Sequence, residues 1–168
     1  MRAKRRLFCI ITTLLAVILD ASVLPFTGLN MSYVPRLCLV NAALIGTVLG
    51  ATQGIIYGAF AGTALDITVY QPAGVTALMY TLCGLVSGFL THRVRPWLVT
   101  LIPSVSAFLL YETGMAVYTY FITGFFPGGK IGYALVRVVI SLTLTQILYL
   151  PYLRALKPSK IGKGRRRG

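Results

Sequence analysis

Long apolar runs separated by short polar or basic breaks are the main feature of this chain. A membrane-crossing helix needs about 17–25 predominantly apolar residues. On this basis we predict six spans, at about 7–26, 37–51, 54–70, 73–91, 97–123 and 131–153. The first run could begin a secretory signal, but an uncleaved anchor fits better because the later runs are also apolar. The second and third spans are short, so local thinning or irregular backbone is expected.

The number of crossings between Leu37 and Leu90 is open from length alone, since these 54 residues fit either two or three spans. Basic residues decide between the two, because Lys and Arg concentrate in cytoplasmic loops. A basic segment precedes the first span, and Arg93 and Arg95 lie in the loop before the fifth. The first span leads from the cytoplasm to the outer side, so an odd number of crossings must connect the outer loop after it to the inner loop at Arg93 and Arg95, which gives three spans. The inner turn then falls at 51–53 and the outer turn at 70–72.

Composition supports lipid as the solvent of this chain. Hydrophobic residues make up 57% and charged residues only 11%, whereas a soluble domain carries about 25% charged residues. The net charge of +13 could suggest nucleic-acid binding, but the basic residues flank the apolar runs. Six spans place thirteen of the sixteen Lys and Arg in the cytoplasm. We therefore predict no nucleic-acid partner and one domain, residues 1–156, with a basic cytoplasmic tail, residues 157–168. The tail would bind anionic lipids or, alternatively, a cytoplasmic protein.

Glycines recur at a spacing of four in two of the apolar regions. They are Gly46, Gly50, Gly54, Gly58 and Gly62 in the first region, and Gly84 and Gly88 in the second. Residues four apart share a helix face, and small residues let the backbones of membrane helices approach closely. The stripe is either an internal packing face or a face that binds another membrane protein, and the sequence leaves both open.

All three acidic residues lie within apolar segments, as Asp20, Asp66 and Glu112, and Arg137 lies in the sixth span. Charges inside a membrane are costly, so they usually face the bundle interior and have partners. We predict an ion pair of Arg137 with Asp66 or Glu112 that fixes helix register. A proton or substrate site and a contact with a partner protein are the alternatives.

Motifs of soluble enzymes are missing from the sequence. His92 is the single histidine, and the spacing of Cys9, Cys38 and Cys83 forms no metal-binding pair. The cysteines are expected to be small buried residues. We predict no enzyme activity, no catalytic residue, no metal site and no cofactor.

The stretch from Pro35 to Phe89 resembles the core of the rod shape-determining protein MreD family. A proline opens a short span, and a glycine-spaced apolar run follows. Next comes a Gly-x-x-x-Asp element, Gly62–Asp66, and then a span that contains Gly84 and Gly88. Length, basic ends and the number of spans agree with the family as well.

This resemblance implies a non-enzymatic membrane scaffold of the bacterial cell-elongation machinery. Such a protein helps maintain rod shape by organising side-wall peptidoglycan synthesis. The implied partners are an MreC-like bitopic protein, MreB, RodA and a class B penicillin-binding protein. The implied location is the bacterial cytoplasmic membrane, with several spans and with both termini in the cytoplasm.

Two transporter functions are the alternatives. The predicted all-α, six-transmembrane-helix bundle is similar to the substrate-binding subunits of energy-coupling-factor transporters, which bind a vitamin in the outer half of the bundle. The first alternative is therefore a subunit of that type. The second is an independent proton-coupled transporter that uses Glu112 or Asp66.

Overall fold

The computed structural model describes residues 2–23, 35–68, 74–91, 98, 100–124 and 131–156. Six α-helices make up most of these residues: α1 (Arg2–Ile18), α2 (Leu37–Leu49), α3 (Ala51–Thr68), α4 (Val75–Thr91), α5 (Leu101–Thr123) and α6 (Ile131–Leu156). A π-helical segment, Leu19–Val23, follows α1. The predicted all-α fold is confirmed for this part of the chain.

Several predicted segments lie outside the described residues. They are the outer turn at 70–72, the basic loop at 92–96, the connection between the predicted fifth and sixth spans at 125–130, and the basic tail at 157–168. The predicted end of the first span, residues 24–26, also lies there.

Helix α2 forms the centre of the bundle. It contacts α1, α3, α4, α5 and α6, and all ten residues from Cys38 to Thr47 are buried. A helix that is apolar on every side is expected to be buried, and α2 meets this expectation. Its 13 residues span only about 20 Å at 1.5 Å per residue, less than the hydrocarbon thickness of about 30 Å. The other helices surround a core helix that is shorter than a full span.

The turn between α2 and α3 consists of a single residue, Gly50. Its φ of 101° lies in a region that only glycine adopts readily, and its N–H donates to the carbonyl O of Gly46 at 2.9 Å. The predicted turn at 51–53 is therefore wrong, because these residues form the first turn of α3. One glycine with positive φ is sufficient to end one helix and begin the next.

Helix α5 also ends at a glycine with positive φ. Gly124 has φ 69°, and its N–H donates to the carbonyl O of Tyr120 at 2.9 Å. This left-handed residue is a common way of ending a helix. Pro103 lies in the first turn of α5, where a missing N–H is tolerated. Pro151 lies inside α6, where the fourth preceding carbonyl loses its usual donor.

The outer surface of the bundle is apolar. Helix α5 and residues Gly132–Leu156 of α6 are long and apolar enough to cross a membrane, while α2 and α4 are apolar but shorter. Phe121 on α5 is 81% exposed and Ile67 on α3 is 78% exposed. Large exposed apolar patches mark membrane or protein contacts. This surface is consistent with a membrane protein.

Candidate functional site

Six glycines bring the backbones of neighbouring helices into direct contact. We call this region the glycine contact; it consists of Gly46, Gly54, Gly58 and Gly62 from α2 and α3, and Gly84 and Gly88 from α4. A Cβ atom at Gly58 would lie 2.5 Å from the carbonyl O of Tyr80, and one at Gly84 would lie 2.5 Å from the carbonyl C of Gly54. Neither position has room for a methyl group.

The glycine contact lies inside the protein. The glycines of α2 and α3 face α4 of the same chain, so they offer no surface to a second protein. Gly50 differs from the other members of the stripe, because a Cβ there would meet nothing within 4 Å and its positive φ instead forms the turn. The spacing of four therefore serves close packing at most positions and a helix break at one.

Asp66 fixes the start of α4 relative to α3. It is 7% exposed, and its Oδ2 accepts hydrogen bonds from the backbone N–H of Gly74 at 2.9 Å and of Ala77 at 3.1 Å. The first N–H groups of a helix have no partner within it and favour a carboxylate. Gly62, one turn earlier, packs against Ala77. The Gly-x-x-x-Asp element thus combines a close approach with a cap on the next helix.

Asp20 has the same role at the start of α2. It lies in the π-helical segment after α1, and its two carboxylate oxygens accept from the backbone N–H of Leu37 at 2.9 Å and of Cys38 at 2.8 Å. Two of the three acidic residues of the chain therefore cap helix N-termini through tertiary contacts.

The third acidic residue forms an ion pair. Nη1 of Arg137 on α6 lies 3.2 Å from Oε1 of Glu112 on α5. Of the two partners that the sequence allowed, the structure gives Glu112, whereas Asp66 binds the backbone of α4. The pair links α5 to α6, and both side chains are about one fifth exposed (17% and 20%).

Arg36 is a charged residue to which sequence reasoning assigned no role. It immediately precedes α2, and its guanidinium carbon lies 4.9 Å from the ring centroid of Tyr111, which is 1% exposed. This geometry is a cation–π contact. Arg36 also interacts electrostatically with Asp20 and Glu112. The sequence did contain a signal for this role, because Arg36 is a single charge between Pro35 and a helix without charged residues.

These residues form what we call the charged cluster: Asp20, Arg36, Glu112 and Arg137. It holds two acidic and two basic side chains, so its formal charge is balanced. The rings of Tyr80 and Tyr111 pack beside it with centroids 5.5 Å apart. The sequence identified three of the four members as charges within the apolar segments, together with Asp66, which binds the start of α4 instead.

A second polar network ties α1, α2 and α6 together. Nδ2 of Asn41 donates to Oγ1 of Thr13 at 2.9 Å, the hydroxyl of Tyr152 donates to Oδ1 of Asn41, and Thr13 donates to the carbonyl O of Cys9. All of these side chains are buried. Sequence reasoning missed this network, although a single amide in an apolar helix is a sign of such a role.

The described residues show no arrangement suited to metal binding, since no group of three His, Cys, Asp or Glu side chains lies together among them. Cys9, Cys38 and Cys83 are buried free thiols, and Sγ of Cys83 lies 3.1 Å from the carbonyl O of Ala107. His92 lies outside the described residues. The polar side chains described above act in helix capping, pairing and packing.

A protein-family model matches most of the chain. The sequence model of the rod shape-determining protein MreD matches residues 1–156, which include all six helices. The chain belongs to the MreD family. Comparison with curated proteins and with solved structures gives no significant match.

Membership of the MreD family indicates a role in rod-shape determination and a location in the membrane. The family is known for determining cell shape and not for catalysis. The Gly-x-x-x-Asp element, on which the resemblance of the sequence to the MreD family rested, lies where the glycine contact meets the start of α4.

Proposed function

We propose that this MreD-family protein is a non-enzymatic scaffold of the bacterial cell-elongation machinery. It would cross the cytoplasmic membrane six times and organise side-wall peptidoglycan synthesis. The observation that carries the proposal is the family match over residues 1–156. Its partners would be an MreC-like bitopic protein, MreB, RodA and a class B penicillin-binding protein.

The structural roles of the acidic side chains support a scaffold function. Asp20 and Asp66 cap helices, and Glu112 pairs with Arg137. These contacts hold the bundle in one arrangement, and the exposed apolar faces of α5 and α6 then meet lipid or a partner helix. A rigid core with an apolar outer surface suits a protein that positions other membrane proteins.

The relative position of the start of α1 and the end of α6 supports two cytoplasmic termini. The rings of Phe8 on α1 and Tyr152 on α6 are 5.4 Å apart, so the start of α1 and the end of α6 lie at the same end of the bundle. Arg5, Arg6 and Arg154 are therefore also at this end. Basic residues at one end of a bundle favour its location on the cytoplasmic side.

Co-purification tests the proposed partners. The tagged full chain, solubilised in mild detergent from the source bacterium, is expected to retain the MreC-like protein. A multi-span membrane protein of similar size and abundance, purified in parallel, is the control and should not retain it. Failure to retain the MreC-like protein, together with tight binding of a vitamin, would overturn the scaffold in favour of a transporter subunit.

The transporter alternatives receive no support from the family match, which is to a shape-determining protein. Uptake into vesicles that depends on Glu112 or Asp66 is the observation that would favour a proton-coupled transporter.

A further inference from the structure

A pocket lies at the basic end of the bundle, between the start of α1 and the turn that joins α2 to α3. Its volume is about 340 Å³, and Arg5, Arg6, Cys9, Leu49, Gln53 and Tyr57 line it. Ligand pockets have volumes of about 300–1,000 Å³, so this one accommodates a small polar group. Its wall combines two guanidinium groups with an amide and a phenol.

The two arginines of this pocket have no carboxylate partner in the side chains of the protein. The chain has three acidic side chains. Asp20 binds the start of α2, Asp66 binds the start of α4, and Glu112 pairs with Arg137. Both guanidinium groups are therefore available to bind an anion from outside. Guanidinium groups bind phosphate oxygens in paired geometry.

The start of α3 adds to this preference for an anion. Gln53 lies in the first turn of α3 and lines the pocket. The first N–H groups of a helix carry partial positive charge and favour phosphate.

An apolar strip runs along the outer face of α1 and begins at Leu7, directly after Arg6. Its members are all between 43% and 59% exposed: Leu7, Ile10, Ile11, Leu14, Leu15 and Ile18. A lipid whose phosphate lay beside Arg5 and Arg6 could place its acyl chains on this strip. The pocket suits the headgroup, and the strip suits the chains.

We propose that this pocket binds the phosphate of an anionic phospholipid headgroup, with Arg5 and Arg6 as the main contacts and Gln53 as a neutral donor. This site differs from the basic tail, residues 157–168, and does not depend on the proposed scaffold function. It would hold one lipid in a fixed position against α1, α2 and α3.

Native mass spectrometry of the purified full chain in neutral detergent tests the site. Phosphatidylglycerol is expected to bind at one saturable site about a hundredfold more tightly than diacylglycerol with the same chains, because diacylglycerol loses the contacts of both arginines and each hydrogen bond to a charged group contributes about 1.5–3 kcal/mol. R5Q and R6Q are each expected to weaken binding about tenfold, and Gln53→Met about threefold.

Arg154→Gln is the matched control, since it removes one exposed positive charge at the same end of the bundle but away from the pocket lining. It is expected to change binding by less than about twofold. The proposed site would be overturned if R6Q and Arg154→Gln lowered the affinity for phosphatidylglycerol equally and Gln53→Met did not lower it. That result would show that the lipid is attracted to positive charge anywhere on this surface. Unchanged thermal unfolding of each variant verifies that it is folded.

Inorganic phosphate separates the two sources of the anion. Millimolar phosphate is expected to leave bound phosphatidylglycerol in place, because the acyl chains contribute to binding. Displacement of the lipid at that concentration, or equal binding of diacylglycerol, would overturn the lipid assignment.

Discussion

At the residue scale, glycine and aspartate have complementary roles in this protein. Glycine removes side-chain volume so that α3 and α4 touch through their backbones, and Asp66 then binds the N–H groups at the start of α4. The hydrophobic effect does not drive helix association in lipid, so close packing and hydrogen bonds must supply the stability. These two residue types supply both.

Gly58→Ala is expected to destabilise the protein by about 1–3 kcal/mol, because the added methyl group overlaps the carbonyl O of Tyr80 and the helices must separate. The measurement is the free energy of unfolding in mixed micelles. Gly132→Ala is the matched control on α6, where an added Cβ meets nothing within 4 Å. If the two variants were equally stable, the glycine contact would not contribute to the stability of the fold.

Asp66→Leu is expected to destabilise the protein by about 1–3 kcal/mol, because it removes the acceptor of two backbone N–H groups at the start of α4. Asp66→Asn retains an acceptor oxygen and should lose about 1 kcal/mol or less. Unfolding free energies of both variants test this order. Thr63→Val is the control, since the exposed Thr63 hydroxyl binds only carbonyls of its own helix. A larger loss of unfolding free energy for Asp66→Asn than for Asp66→Leu would contradict the capping role.

At the element scale, apolar runs together with the positions of basic residues were sufficient to predict six helices, whereas the glycines at a spacing of four are divided between α2 and α3 by the break at Gly50. The exact break at Gly50 was not predictable, because Gly46, Gly50 and Gly54 are equally able to end a helix. The capping roles of Asp20 and Asp66 were not predictable either, since Asp20 binds backbone 17 and 18 residues away. Such partners depend on how helices pack and leave no local pattern.

The pair of Arg137 and Glu112 is expected to couple α5 to α6. In a double-mutant cycle of Arg137→Ala and Glu112→Ala, the two losses of unfolding free energy should be non-additive by about 1 kcal/mol, since contacting residues share the interaction. Thr143→Ala, an exposed position on α6, replaces Arg137→Ala in the control cycle and should give additivity. Additive losses in the test cycle would mean that the pair contributes no coupling.

At the scale of the whole molecule, a buried core helix, α2, is surrounded by helices that carry the exposed apolar surface. The charged cluster lies beside the start of α2 and the end of α1, whereas Arg5 and Arg6 lie at the start of α1, towards the other end of the bundle. This polarity along the bundle axis is what a fixed orientation in a membrane requires.

Reporter fusions test this orientation. Fusions at Gly128 are expected to be extracytoplasmic, whereas fusions after Arg95 and at the C-terminus are expected to be cytoplasmic. Paired phosphatase and fluorescent-protein reporters at each position give opposite signals and serve as mutual controls. A cytoplasmic signal at Gly128 would contradict six spans.

The central claim is that this MreD-family protein maintains rod shape. The most direct test is the ratio of cell length to width in the source bacterium after the protein is depleted. We predict that the ratio falls towards that of a sphere and that expression of the unmodified chain restores it. Cells that keep their rod shape and continue side-wall growth after complete depletion would contradict the claim.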